Sequence, residues 1–158
     1  MAADRPTRPG EVSFLTLGRF SIVVPALLLL AACGEAPAPA PDLLSGAKIY
    51  AQQCAVCHGA KLEGQPDWRR RLPNGRMPAP PHDESGHTWH HPDEVLFGIT
   101  KHGLVPPYAP AGYESDMPAF AGKLSDEEIR SVLAWIASHW TSPEVVAARA
   151  EMLRNARR

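Results

Sequence analysis

The chain predicts a small all-α domain of three main helices, with long loops wrapped round a bulky bound group. Three observations carry this expectation. Ile129, Val132, Leu133 and Ile136 repeat at helical spacing behind the capping sequence Ser125-Asp126-Glu127-Glu128. Proline and glycine are plentiful, at 17 and 12, while aromatics make up 7%, so loops are long and the chain has little core of its own. Cys54-Ala55-Val56-Cys57-His58 closes a first helix with two thiols and an imidazole on a single turn.

That last motif sets the chemistry. Two thiols three positions apart lie on one side of a helical turn, within reach of both vinyl groups of one porphyrin. The next residue then carries its imidazole under the iron. Cys-x-x-Cys-His is the attachment signature of a c-type haem, with Cys54 and Cys57 as the thioether residues and His58 as a neutral nitrogen ligand. One covalent haem would also supply the apolar mass that so small a core lacks. A thioredoxin-like redox pair would need a βαβ context, and a zinc site a second cysteine pair; neither is present in the sequence. The third cysteine, Cys33, lies in the export segment described next, which leaves none for a disulfide. With 21% charged residues and a formal net charge of −1, no large single-signed field exists, which argues against a nucleic-acid partner.

Residues 1–33 read as a signal peptide. Arg19 precedes the apolar run Ile22 to Ala32, which is broken by Pro25 and too short for a span of roughly 20 apolar residues. An uncleaved anchor is the alternative. Leu30-Ala31-Ala32-Cys33 is similar to the lipobox of bacterial lipoproteins, which implies acylation of Cys33 and stable tethering to a membrane. The stretch before Phe14 is long for such a signal, which suggests a later start. Residues 34–41, GEAPAPAP, form a semi-stiff spacer of about 3.1 Å per residue.

The folded domain is expected over residues 42–141. Asp42 caps a helix from Leu43 to about Cys57, stopped by Gly59. Residues 60–86 form a loop containing the Arg69-Arg70-Arg71 run, a solvated patch or a docking patch for an acidic partner, and Met77, an iron ligand by chemistry alone. Pro92, Asp93 and Glu94 open a second helix with Val95, Leu96, Ile99 and His102 on a stripe, ended by Gly103. Before it, Trp89 has the bulk for a haem pocket and an indole N–H for a propionate. His87, His90, His91 and His102 also invite a copper-site reading, although His90 and His91 are neighbours and do not share a helical face. A second loop holds Met117-Pro118 just before the third helix, which runs to about Trp140. A thioether there would pair with His58 and raise the iron potential, and its position favours this over a core filler. Residues 142–158 form a helical or disordered tail with a capping pattern at Ser142-Pro143-Glu144.

From about Leu43 to Trp140 the chain resembles a class I c-type cytochrome. The resemblance rests on CAVCH at the end of the first helix, on MPAF, and on the aromatic-bearing last helix opening LSDEE. It implies the small cytochrome c fold with first and last helices crossed, Gly46 and Tyr50 meeting Trp135. It also implies His58 and Met117 as axial ligands, and a carbonyl from Pro78, Pro80 or Pro81 fixing His58. If both axial positions are filled by protein, one-electron transfer through the haem edge is what remains. The expected function is therefore an exported, lipid-anchored, monomeric electron carrier on the periplasmic side of a bacterial membrane, working between redox proteins. A peroxidase-like haem enzyme with a displaceable sixth ligand and a periplasmic copper-handling protein are the alternatives.

Overall fold

The structure is a computed structural model that describes residues 39–156. Residues 1–33 with Cys33, and most of the Ala/Pro spacer, lie outside the described residues. Helix α1 (Leu43–Ile49) opens on Asp42, whose carboxylate accepts the Leu44 N–H at 3.0 Å. A π-helical turn (Tyr50–Cys54) and α2 (Ala55–His58) continue it directly, so the first helix spans the expected stretch with a change of pitch inside it. Gly59 ends it at φ 80°. A long loop and a 3₁₀ turn (Thr88–His90) lead to α3 (Asp93–His102), and a second loop leads to α4 (Asp126–Ala137). Ser125 and Glu128 form the reciprocal capping box in full. Then α5 (Pro143–Ala156) follows.

The architecture is all-α, and the described residues contain only one isolated bridge, between Ala121 and Leu124, outside the helices. No described helix is long and apolar enough to cross a membrane. The principal contact is α1 on α4. Gly46 makes it possible: a Cβ there would run into the Ser131 carbonyl oxygen and come within 2.8 Å of the Trp135 Cβ. Tyr50 then meets the Trp135 ring at a centroid distance of 4.7 Å. The core gathers Ile49, Tyr50, Leu62, Leu96, Val132, Ile136, Trp140 and Val145.

Three features differ from expectation. Pro92 caps α3 from outside, because its ψ of 151° is extended and the helix starts at Asp93. His102 is exposed and leaves the α3 stripe, while Gly98 and Thr100 are buried in its stead. Helix α4 stops at Ala137, three residues before the expected Trp140, and the C-terminal segment is a packed helix whose Val145 joins the core. The sequence undervalued this segment because one buried valine supplies little periodicity.

Candidate functional site

The attachment turn is built where the helix changes pitch. Tyr50 is 1% exposed, and its hydroxyl donates to the Gly59 carbonyl at 2.8 Å, tying the two ends of the turn together. Burial is the main reason its phenol is raised above the ordinary value, so it remains a donor. Cys54 and Cys57 are half-buried free thiols. Burial, followed by the proximity of Cys57, pushes the Cys54 thiol up to about 11 and keeps it neutral.

His58 is buried, and its Nδ1 lies 2.8 Å from the Pro80 carbonyl oxygen. A carbonyl only accepts, so Nδ1 carries the proton and Nε2 keeps the lone pair a metal needs. Of the three prolines considered, Pro80 is the one in contact. Burial lowers the basicity of His58, against the raising effect of the Pro80 bond, and holds the ring neutral.

The sequence did not point to His82, which stacks on His58 with ring centroids 3.9 Å apart and planes 20° apart. Its pKa is lowered to about 3, first by burial and then by His58 and His87. The available signal was its place immediately after Pro80-Pro81, in the segment that supplies the carbonyl to His58.

Met117 is half-buried in a braced segment. Its N–H donates to Ser115 Oγ at 3.0 Å, the Phe120 N–H donates to the Thr100 carbonyl at 3.1 Å, and Phe120 is 4% exposed. Arg76 pairs with Asp116 and with Glu114. Arg76 and Asp116 each immediately precede a methionine, so the loops of Met77 and Met117 run side by side here. The Trp89 indole donates to the Glu84 carbonyl at 3.3 Å, so its N–H is already engaged within the protein. His87 stacks on Trp68 and His90 on Trp89, and no group of three or more potential metal ligands occurs among the described residues. His87 also meets His91 edge-on at 5.4 Å, but no third potential ligand joins this pair among the described residues, so the copper expectation finds no assembled site there. In the arginine run, Arg69 lies over the Trp68 ring at 4.2 Å and Arg71 over Tyr113 at 6.0 Å.

Two free thiols one turn apart beside a neutral, carbonyl-anchored imidazole suit a covalently attached haem. The fold and this site define a class I c-type cytochrome. Comparison with known proteins agrees: residues 41–136 match the family model described as cytochrome C oxidase, cbb3-type, subunit III, and the chain belongs to that family. It is 29% identical over 118 residues to a cytochrome c6 of Thermosynechococcus vestitus, covering 73% of this chain and 86% of the relative. It is 25% identical over 117 residues to a cytochrome c6 of Nostoc sp., covering 74% of this chain and 88% of the relative. No solved structure matches it. The protein carries one covalently bound haem c and is an electron-transfer protein.

Proposed function

We propose that the protein is a membrane-tethered one-electron carrier facing the periplasm, with Cys54 and Cys57 as thioether residues, His58 and Met117 as axial ligands and Cys33 as the site of lipid attachment. The bound haem supplies the Fe(III)/Fe(II) couple. The chain's residues do the rest. Pro80 holds His58 in the tautomer that presents Nε2. Phe120, Thr100 and Ser115 brace the backbone of the segment from which Met117 is presented. A domain closed on both axial sides exchanges electrons and not atoms, so its partners would be redox proteins. The signal-like residues 1–33, the lipobox-like Cys33 and the Ala/Pro spacer support export and anchoring. Trp89 packs against the hydrophobic core, which supports a place for it in the haem pocket.

The observation that supports this reading is a carbonyl-anchored His58 in a fold that also braces the backbone carrying Met117. The test compares Met117→Ala with Met77→Ala in protein shown by its alkaline-pyridine spectrum to hold haem c. Met117→Ala is expected to lower the midpoint potential and to admit cyanide or carbon monoxide, and Met77→Ala to do neither. The opposite pattern assigns the ligand to Met77. Rapid reaction of the unaltered protein with peroxide would favour the haem-enzyme alternative.

A further inference from the structure

We propose that His82 is a positioning residue for His58, its stacked ring setting the plane and donor strength of the ligand imidazole and hence the balance between Fe(III) and Fe(II). This rests on the haem reading above. A hydrogen bond to one ring nitrogen, as from Pro80, fixes a direction but lets the ring plane rock about it. A flat partner 3.9 Å away at 20° removes that freedom.

His82 can do this because it is itself held by several segments. The Thr88 hydroxyl donates to the Pro81 carbonyl at 3.3 Å, and its oxygen, 2.9 Å from His82 Nδ1, accepts a hydrogen bond from the N–H there. Thr88 is 6% exposed, which shields this pair from water. The His82 N–H donates to the Leu62 carbonyl at 2.8 Å, and its own carbonyl accepts the Trp140 indole N–H at 2.9 Å. The Tyr50 ring meets it edge-on at 6.2 Å. An aliphatic side chain would fill the same space without a polar ring that needs a buried partner. A partnered, flat ring is warranted where the surface it covers must be kept flat and dry. Removing it opens a face of His58 to water, and a more polar surrounding favours Fe(III).

The test uses the full chain and three variants, His82→Ala, His82→Phe and Thr88→Val, each first shown by its alkaline-pyridine spectrum to carry haem c. The midpoint potential is measured spectroelectrochemically, and the spread of g values of the oxidised form by electron paramagnetic resonance, which responds to the ligand plane. In His82→Ala the Fe(III)/Fe(II) ratio at fixed potential should rise about tenfold, a fall of about 59 mV for one electron, with an altered g spread. His82→Phe, which keeps a flat ring, should retain the original g spread. Thr88→Val, whose His82 ring loses its hold, should move in the same direction as His82→Ala by a smaller amount. Haem-replete His82→Ala with unchanged potential and g spread overturns the proposal, as does His82→Phe shifting as far as His82→Ala. Should His82→Ala fail to fold, an unchanged Thr88→Val overturns it alone. Absence of covalent haem from the unaltered protein would instead remove the electron-carrier reading.

Discussion

A hydrogen atom at Gly46 is what allows α1 and α4 to touch. Adding a methyl group there forces it against the Ser131 carbonyl and the Trp135 Cβ, both parts of a helix that cannot yield locally. Gly46→Ala should therefore destabilise the domain by about 1–3 kcal/mol despite alanine's better helix propensity, measured by chemical denaturation. A stabilised Gly46→Ala would show that the two helices slide freely. At this scale the sequence was legible wherever residues act with near neighbours. Cys54, Cys57 and His58 declare themselves because their chemistry is written into one turn. His82 does not, since its partner His58 lies 24 positions back and only folding brings the rings together.

Among the elements, caps and stops could be read because they are local bonds. Asp42 and the Ser125/Glu128 box open helices, and the glycines at 59 and 103 close them, where expected. The π-helical turn could not be read, because CAVCH keeps the same spelling on either pitch. The connection from the His58-anchoring loop to α5 was also hidden. Glu84 Oε1 accepts the Ser142 N–H at 2.7 Å and also the Thr141 N–H, and these bonds hold its carboxyl below the ordinary carboxylate value. A carboxylate depressed on folding adds stability above its unfolded value and loses it as pH falls through its folded one. Protection of the residue 146–149 amides against hydrogen exchange should accordingly drop as pH falls below the ordinary carboxylate value of 4.5. In Glu84→Gln it should be weaker at neutral pH and nearly flat through that range. Identical acid profiles for the two proteins would rule this connection out.

For the whole molecule, the C-terminal helix completes the fold. Arg149, with its side chain 13% exposed, donates to the Trp89 carbonyl at 2.9 Å and the His91 carbonyl at 3.1 Å. It also pairs with Asp93 and lies over the Trp140 ring at 4.6 Å. One guanidinium thus serves the 3₁₀ turn, the start of α3 and the end of the core. Arg149→Ala should cost about 2 kcal/mol, because two carbonyls lose a charged donor, and should lower the thermal midpoint by several degrees. An unchanged midpoint would make α5 an appendage. The fold class was legible from periodicity and punctuation, whereas this closure was not, because it depends on one polar side chain meeting carbonyls roughly sixty positions earlier.

The π-helical turn has a geometric consequence for where the attachment motif points. In a regular helix each residue advances the chain by roughly 100° about the axis. The turn at Tyr50–Cys54 inserts its extra residue between the face that α1 seats on α4 and the residues that follow. The compass bearing of Cys54, Cys57 and His58 is therefore decided by phase as well as by spelling. The same five letters placed after an uninterrupted helix would keep every ligand atom and aim it elsewhere.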